Sequence, residues 1–496
     1  MLTDLFAHAL LWCLRPLRAL LYGDRRAYMT LSLPAAQPML ERIGRLRART
    51  TFIRARARCP AYLKFLDAQG WRDDGRWALE RVPVTTKENY VKVYGLTERC
   101  YGGRIPAEGV VIDESSGSSG MPNNWVRSAE ERKDVKRILQ LNYQLIYRDA
   151  GCILLNCFAL GPWATGMNVS MSLVDVGILK SIGPDAKKLE NTLELFGPDY
   201  RYLVFGYPPF IKSFVDSTTL DLTRYRMDLI VGGEGISEPL RTHLLKSFRT
   251  VISSYGASDL EINIAVETAM TIALRRRCLE DRALARSLFG RDGSPMIFQY
   301  NPLDYVIETS ASGELVFTVV RGASAAPKIR YNLKDEGGTM TWRALAARLR
   351  SDGVELASFA SPQSHFPILF VYGRADLTVP FFGAKIYPSD IEEIVQSDAA
   401  LARAIHSFQI ASEENERLER RLRIHLEACA DPAAVPPPAP ELHRLIFEGL
   451  KRVNQDFREV TRMFPPEAVV IEVHPFGTGP FANRDIRIKN QYIAPR

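Results

Sequence analysis

The chain has 496 residues, of which 46% are apolar and 24% charged, and 64 basic residues against 57 acidic ones give a net charge of +7. This length exceeds the size at which a single hydrophobic core stops growing, so we expect one large domain and at least one smaller one. The mild charge and the lack of a basic stripe interleaved with aromatic residues argue against a nucleic-acid-binding protein.

The seven cysteines are odd in number and scattered along the chain. They form neither a metal-spaced pair nor a disulfide framework. This usage is typical of proteins in a reducing cytosol, so we expect a cytoplasmic protein. Composition does not indicate an oligomeric state.

The N-terminal segment, residues 1–34, opens with a mostly apolar stretch. Asp4, Arg15 and Arg18 interrupt this stretch, which makes it a poor membrane-spanning helix, and the positive start of a signal peptide is missing. Its leucines predict an amphipathic helix that packs on the body of the protein. Shallow docking on a membrane surface or on a partner is the alternative.

Residues 35–72 mix polar and apolar side chains at helical spacing, which predicts helices. The stretch Pro83-Val84-Thr85-Thr86-Lys87 follows. Either threonine can cap a helix that begins at Lys87.

The next notable stretch is the serine-rich loop Asp113-Glu114-Ser115-Ser116-Gly117-Ser118-Ser119-Gly120-Met121-Pro122. Its two glycines and four hydroxyls predict a tight turn whose N–H groups can surround an anion. A flexible linker is the alternative, but apolar runs on both sides indicate flanking strands. No Gly-Lys-Ser/Thr closes the loop, so it is not a Walker P-loop. We predict that it forms a phosphate-binding turn at the tip of a parallel sheet.

Helices and short apolar strands alternate after the loop. The predicted helices are 130–147, 187–196 and 209–215, and the predicted strands are 151–156, 174–182 and 202–205. This alternation favours a mostly parallel α/β sheet, whose active edge lies at the carboxyl ends of the strands. Phe158 and Trp163 follow the first of these strands, and on the residues alone a core position is expected for both aromatic rings.

Four further motifs follow in order. They are Leu229-Ile230-Val231-Gly232-Gly233-Glu234-Gly235, Ser254-Tyr255-Gly256-Ala257-Ser258-Asp259-Leu260-Glu261, Arg330-Tyr331-Asn332-Leu333-Lys334-Asp335, and Gly373-Arg374-Ala375-Asp376 with Gly383-Ala384-Lys385-Ile386-Tyr387-Pro388. One interpretation of Glu234 is a residue at the start of a helix, where its negative charge interacts favourably with the helix dipole. Arg374 and Asp376 can also form a surface ion pair.

Residues 376–496 predict a smaller α+β unit. Helices are predicted at 388–396 and 441–457, strands at 404–410, 422–426 and 468–473, and an irregular connector at 431–440, which holds five prolines. The end of the chain carries the cations Arg484, Arg487 and Lys489.

The ordered motifs resemble those of the acyl-adenylate-forming superfamily, the acyl-CoA synthetases and adenylation domains. The likeness spans roughly residues 35–490, and the Pro-x-Thr-Thr-Lys entry and the glycine–glutamate turn are similar to the phenylacetate-CoA ligase-like branch. The resemblance implies an α/β fold: a large multi-sheet N-terminal domain of mostly parallel strands and flanking helices, residues 35–375, and a smaller mobile α+β domain, residues 376–496.

The resemblance also implies roles for individual residues. Tyr255 stacks on adenine, Ser258 meets the α-phosphate, Asp335 accepts from the ribose hydroxyls, and Arg374 forks a ribose or phosphate oxygen. Asp259 stands where the family has a glutamate that holds Mg²⁺, so it reaches the metal through water or Glu261 substitutes for it. The remaining nucleotide contacts are Ser115, Ser116, Gly117, Ser118, Ser119, Gly120, Gly233, Glu234, Ser254 and Gly256, with Phe158 and Trp163 lining the acyl pocket.

Two departures from the family pattern concern catalysis. The family's C-terminal Gly-Lys is missing, and Lys489 is the first candidate for the cation that reaches the α-phosphate. Leu377 replaces the usual second aspartate of the domain junction, although a hinge can be any residue whose backbone absorbs the rotation.

The implied activity is ATP- and Mg²⁺-dependent activation of a small-molecule carboxylic acid to an acyl-adenylate, with release of pyrophosphate. The acyl group then passes to a thiol, either CoA or the phosphopantetheine of an acyl carrier protein. Two alternatives stay open: transfer to an amine, and a non-catalytic nucleotide- or acyl-binding relative. Phe158 and Trp163 favour an aromatic or otherwise apolar acid.

Overall fold

The computed structural model describes residues 21–115, 123–146, 151–291, 294–321, 324–356, 359, 364–374, 378–431 and 433–482. Most of the predicted N-terminal helix lies outside these ranges. A helix spans Arg25–Leu31, and Tyr28 on it and Tyr22 before it belong to one buried cluster with Leu303 and Phe366. Within the described ranges, every helix is too short or too polar to cross a membrane.

Eighteen strands form the described sheets. They are β1 (Val111–Ser115), β2 (Asn123–Arg127), β3 (Ile153–Asn156), β4 (Ile178–Ser181), β5 (Arg201–Gly206), β6 (Arg226–Gly232), β7 (Val251–Ala257), β8 (Glu261–Val266), β9 (Met296–Tyr300), β10 (Tyr305–Thr309), β11 (Glu314–Val319), β12 (Tyr331–Met340), β13 (Ile368–Arg374), β14 (Val379–Phe381), β15 (Ala384–Ile386), β16 (Ile405–Glu414), β17 (Arg420–Ala428) and β18 (Val469–His474).

The helices, in chain order, are α1 (Arg25–Leu31), α2 (Gln37–Arg58), α3 (Pro60–Ala68), α4 (Ala129–Ile146), α5 (Ala164–Leu173), α6 (Ala186–Phe196), α7 (Pro208–Ser217), α8 (Glu238–Leu244), α9 (Ala269–Glu280), α10 (Arg282–Phe289), α11 (Trp342–Ser351), α12 (Pro388–Ser397), α13 (Ala399–Ala404), α14 (Ala439–Val453) and α15 (Gln455–Val460).

One eleven-stranded sheet organises the large domain, in the order β10-β11-β12-β13-β9-β8-β7-β6-β5-β3-β4. The strands from β4 to β7 pair in parallel, as the alternation of helices and strands predicts. From β7 to β10 the pairing is antiparallel, because the chain there turns directly between neighbouring strands such as β10 and β11. The mostly parallel sheet that we expected is therefore confined to one end.

The serine-rich loop connects β1 and β2, which pair antiparallel as a separate two-stranded sheet. The expectation of a turn at the tip of the parallel sheet is thus corrected for the flanking strands, which form a separate hairpin; residues 116–122 of the loop lie outside the described residues. A backbone bridge between Glu114 and Trp163 places the hairpin beside the start of α5.

Two short elements also differ from expectation. The predicted strand 174–182 is limited to β4, and the predicted helix at Lys87 is a single π-type turn, Lys87–Val91, capped by Thr86.

The C-terminal part is an α+β unit, as predicted. β16 and β17 form an antiparallel hairpin, β18 adds to β17 in parallel, and α12 and α14 pack against them. The preceding hairpin, β14–β15, places Phe381 in a ring cluster with Phe457 and Phe464. The predicted junction at residue 376 falls in 375–377, which lie outside the described residues.

Candidate active site

Three side chains from separate strands of the large sheet meet. The Tyr255 hydroxyl donates a hydrogen bond of 2.5 Å to Asp335 Oδ2, and Arg374 Nη1 donates one of 3.3 Å to Asp335 Oδ1. Asp335 and Arg374 are direct partners in the register of β12 and β13. The structure therefore brings together three residues that the motifs predict to bind one nucleoside.

The turn that carries Tyr255 is held by close backbone packing. A Cβ at Gly256 would lie 2.8 Å from the backbone nitrogen of Asn263, so only glycine fits there. Ser254 Oγ is 2.9 Å from Asn263 Oδ1, and Asn263 has a φ of 56°, in the left-handed region. The Tyr255 ring packs parallel to Phe317 with its centroid 6.2 Å away.

Asp259 lies buried behind this turn and is surrounded by donors. Tyr331 donates a hydrogen bond of 2.9 Å to its Oδ2, and the Lys87 ammonium lies 3.3 Å from the same oxygen. Burial alone would raise the pKa of Asp259, but the charges of Lys87 and Lys385 and hydrogen bonds from Ser115 and Tyr331 lower it to about 2. Asp259 is therefore a carboxylate at every physiological pH.

The second oxygen of Asp259 is the atom that fits a metal ion. Oδ1 is buried and has no hydrogen-bond partner. A buried, unpaired carboxylate oxygen is costly unless a cation or water meets it. Mg²⁺ takes one or two carboxylates beside phosphate oxygens, so Asp259 has the chemistry of an Mg²⁺ ligand.

Two lysines belong to the same charged group. Lys87 follows the Thr86 cap of the π-type turn, and Lys385 lies on β15. Burial acts against the charge of Lys87, but Asp259 and Tyr387 raise its pKa. Burial and the neighbouring charges of Arg374 and Lys87 lower the pKa of Lys385. The group thus concentrates positive charge beside Asp259 and Asp335.

Arg127 ties the β1–β2 hairpin to the tyrosine turn. Its guanidinium is buried, pairs with Asp113 at 2.8 Å and Glu131 at 3.1 Å, and donates to the carbonyls of Ser258 and Leu260. Ser115, the last residue of β1, is held by the indole N–H of Trp125 at 2.9 Å. The hairpin and the turn are therefore positioned as one unit.

A cavity of about 150 Å³ opens between this unit and the parallel strands. Phe158 and Trp163 both line it, and Phe158 meets Tyr207 edge-on with ring centroids 5.1 Å apart. Ser115, Ser258 and Lys385 lie on the polar side of its wall. The other walls are mainly apolar and include Leu139, Val169, Leu173, Leu203, Phe205, Ile230 and Val231.

Gly233 and Glu234 follow β6 next to this cavity. Gly233 has a φ of 84°, and a Cβ there would lie 2.7 Å from the Tyr207 ring. Both carboxylate oxygens of Glu234 are buried without a hydrogen-bond partner. Burial raises the pKa of Glu234 to about 7, which Arg420 opposes and Glu414 reinforces.

No protein-family model matches the chain, and no curated protein matches it. A solved structure of 2-hydroxyisobutyryl-CoA ligase with 2-HIB-AMP and CoA in the thioesterification state is 13% identical, over 92% of this chain and 90% of that chain, with a TM-score of 0.64. Structures of that ligase in the postadenylation state with R3-HIB-AMP and in an open conformation with 2-HIB-AMP and CoA are 12% and 14% identical. They cover 94% of this chain and 90% and 93% of those chains, with TM-scores of 0.53 and 0.52.

The chain has the fold of 2-hydroxyisobutyryl-CoA ligase. Within this fold, the described part of the chain gathers Tyr255, Asp335 and Arg374 at one place and Asp259 close by. Ser116, Gly117, Ser118, Ser119, Gly120 and Lys489 lie outside the described residues, so their roles stay predictions.

Glu261, the alternative metal ligand, is placed elsewhere. Its carboxylate pairs with Arg321 and accepts a hydrogen bond of 2.6 Å from Tyr305. It lines a small separate pocket with Asp113 and Arg127, not the large cavity. Asp259 lies in the turn before β8 and Glu261 begins that strand, so their side chains diverge.

Sequence reasoning missed Lys87 and Lys385 as members of the site. The sequence patterns predict Lys87 only as the start of a helix and Lys385 only as part of the junction motif. The Pro-x-Thr-Thr-Lys entry was the available signal for Lys87, because a lysine directly after a helix cap lies beside backbone N–H groups that attract anions. The ion pair with Asp259 gives that lysine a place in the site.

Proposed function

We propose that this protein uses ATP to convert a carboxylic acid into an acyl-adenylate, releases pyrophosphate, and transfers the acyl group to the thiol of CoA or of carrier-protein phosphopantetheine. The observation that carries the proposal is the contact of Tyr255 with Asp335 and of Asp335 with Arg374, beside a mainly apolar cavity. The similar ligase structures are described with an acyl-AMP and CoA bound.

In the first step, the adenosine would lie on the face of Tyr255, with its ribose hydroxyls donating to Asp335. The bond from Arg374 and the backbone pairing of β12 with β13 hold that carboxylate in place. Fixed acceptors of this kind position the α-phosphorus for in-line attack, and positioning supplies much of the acceleration in phosphoryl-transfer sites.

Charge stabilisation would come from Lys87, Lys385 and Arg374. Negative charge develops on the phosphate oxygens and on the departing pyrophosphate, and fixed cations in a site shielded from water stabilise it strongly. Mg²⁺ held by Asp259 would neutralise further phosphate charge. Lys87 stands close to Asp259 in the described part of the chain, so adenylation need not depend on Lys489 alone.

The acid would occupy the cavity between Phe158, Trp163 and the parallel strands, with its carboxylate toward Ser258 and its apolar part among the leucines and valines. These walls favour an aromatic or aliphatic acid over a polar one. A carboxylate is a poor acyl donor, and the mixed anhydride with AMP gives it a good leaving group. That intermediate is the chemical reason for a thioester-forming second step.

The direct test is carboxylate-dependent exchange of labelled pyrophosphate into ATP, measured across a panel of aromatic, aliphatic and polar acids with Mg²⁺. We expect exchange with apolar acids and loss of exchange in Asp335→Ala. Absence of exchange across the whole panel would overturn the proposal in favour of a binding protein. CoA, a phosphopantetheinylated carrier protein and amines are then offered to the pre-formed adenylate, and transfer to amines alone would replace the thiol step with amide formation.

A further inference from the structure

A group of metal-ligating side chains lies outside the nucleotide site, on the three-stranded sheet of the C-terminal unit. β17 and β18 pair in parallel, and their register places His425 opposite Glu472. His474 follows Glu472 by two residues, so its side chain emerges on the same face of the sheet. Two imidazoles and one carboxylate therefore meet above neighbouring strands.

The three ligand atoms form a compact triangle. His425 Nδ1 is 3.0 Å from His474 Nε2 and 3.2 Å from Glu472 Oε2, and His474 Nε2 is 3.8 Å from the same oxygen. A tetrahedral Zn²⁺ with bonds of roughly 2.0–2.1 Å holds its ligand atoms about 3.3 Å apart. The triangle already has nearly this size, so one ion can contact all three atoms with small side-chain adjustments.

Neighbouring residues hold two of these side chains in position. The other oxygen of Glu472 pairs with Arg423, which also donates a hydrogen bond of 2.6 Å to Glu413. A Cβ at Gly479 would lie 2.6 Å from His474 Nδ1, so that glycine packs directly against the imidazole ring. Outer residues that fix ligand orientation are a regular feature of protein metal sites.

We propose that His425, Glu472 and His474 bind a divalent metal ion of the zinc class, with water as the fourth ligand. Two nitrogens and one carboxylate oxygen suit zinc and its neighbours in the transition series better than Mg²⁺. The side chains of His425, Glu472 and His474 are 11%, 37% and 21% exposed, so an ion reaches them from solvent. Within the described ranges, no other three histidines, cysteines or acids come together in this way.

A bound ion would cross-link the ends of β17 and β18. The chain leaves β18 through a turn in which the Gly477 N–H donates a hydrogen bond to Glu427 on β17. The ion and this hydrogen bond would therefore both connect β17 to the C-terminal end of β18. Metal that binds only the folded unit stabilises it by mass action. The site is separate from the proposed nucleotide site, and its existence does not depend on the proposed activity.

The test uses the full-length protein, treated with a chelator and then titrated with Zn²⁺ or Co²⁺ in excess Mg²⁺, which occupies oxygen-rich sites. We expect one Zn²⁺ per chain by calorimetry and the visible absorption bands of four-coordinate Co²⁺. Glu472→Gln and His474→Gln should each weaken Zn²⁺ binding by at least about tenfold. His243→Gln is the matched control, because His243 contacts a single carboxylate, Asp216, at 2.7 Å and has no second histidine beside it.

Equal Zn²⁺ binding by the wild type, Glu472→Gln and His474→Gln would overturn the proposal, as would the absence of a Co²⁺ spectrum in the wild type. Circular dichroism checks that each variant is folded. Should a substitution unfold the C-terminal unit, imidazole NMR signals of the wild type decide the question. Zn²⁺ must shift the His425 and His474 resonances before that of His243, and a shift of His243 alone contradicts the site.

Discussion

The Tyr255 hydroxyl and the Asp335 carboxylate, 80 residues apart in the chain, are joined by a hydrogen bond of 2.5 Å. Tyr255 lies on β7, within one predicted motif, and Asp335 lies on β12, within another. Their contact brings two separate stretches of sequence together at the proposed nucleoside site. It also fixes the Asp335 carboxylate before any ligand arrives.

Removing this hydrogen bond should weaken ATP binding. Tyr255→Phe keeps the aromatic face but leaves Asp335 less constrained, and a hydrogen bond to a charged group contributes about 1.5–3 kcal/mol. We therefore expect the KM for ATP in the exchange assay to rise by about tenfold or more, and Asp335→Asn to raise it further. Tyr305→Phe removes a similar bond to Glu261 outside the cavity and should leave this KM unchanged. An unaltered KM in Tyr255→Phe would contradict the assignment of the adenosine site.

Lys87→Met should slow adenylation, in addition to a loss of stability from removing a cation beside the buried carboxylate of Asp259. The substitution removes a cation 3.3 Å from Asp259 Oδ2, and the loss of one preorganised charge-stabilising group costs about 10²–10³ in rate. The exchange rate at saturating ATP is the measurement, and Lys64→Met is the control, since Lys64 forms an exposed pair with Glu98. If Lys87→Met exchanges pyrophosphate at the wild-type rate, another cation carries this role.

Much of the fold was predictable because local patterns determine it. The wholly apolar strand β3 and the amphipathic helix α4 each have a recognisable pattern of apolar residues, and both occur where the sequence predicts them. The antiparallel half of the sheet was not predicted, because a strand's own sequence does not state which neighbour it pairs with. The same holds for the β1–β2 hairpin, whose two strands resemble any other short apolar strand.

Candidate site residues could be predicted only where a sequence motif contains them. Tyr255, Asp335 and Arg374 lie in such motifs and the structure brings them into contact, while their roles stay predictions. Lys87 reaches Asp259 from a distant part of the chain. No local pattern encodes that pairing, so it emerged only from the folded chain.

Arg127 should be a major stabilising residue. Arg127→Leu would leave the buried carboxylates of Asp113 and Glu131 short of a partner and release two backbone carbonyls. Breaking a buried pair on one side costs about 3–5 kcal/mol. We expect a loss of this size in the free energy of unfolding by urea. Arg81→Leu, at an exposed pair with Asp74, should cost far less than Arg127→Leu because solvent screens that pair, and an equally small loss for Arg127→Leu would contradict its buried role.

Glu234 should make stability fall as the pH rises. Its pKa is raised from an ordinary value of 4.5 to about 7, so the folded protein binds more protons than the unfolded chain between these values. The contribution of Glu234 to the free energy of unfolding is fully present below about pH 4.5 and is lost as the pH rises through about 7.

Glu234→Gln removes this titration. We expect the variant to gain stability over the wild type as the pH rises from 5 to 8, by about 2 kcal/mol, because the wild type loses the contribution of the protonated Glu234 over this range. Unfolding curves at several pH values measure the difference. Glu130→Gln, an exposed acid paired with Lys133, is the control. A difference between Glu234→Gln and the wild type that does not change with pH would contradict the raised pKa.

The apolar cavity should set the size of the acid. Val169 lies on α5 and lines this cavity of about 150 Å³, so Val169→Phe would fill much of the space near the cavity wall. Larger aromatic acids should then lose most of their exchange activity, while the smallest aliphatic acids retain theirs, at a cost in stability of about 1–3 kcal/mol from overpacking. Val435→Phe is the control, because Val435 is 75% exposed and does not line the cavity. The ratio of exchange rates for large and small acids is the measurement. Because a general loss of stability lowers both rates together, only a change in this ratio supports the cavity as the acyl site, and an unchanged ratio places the acid elsewhere.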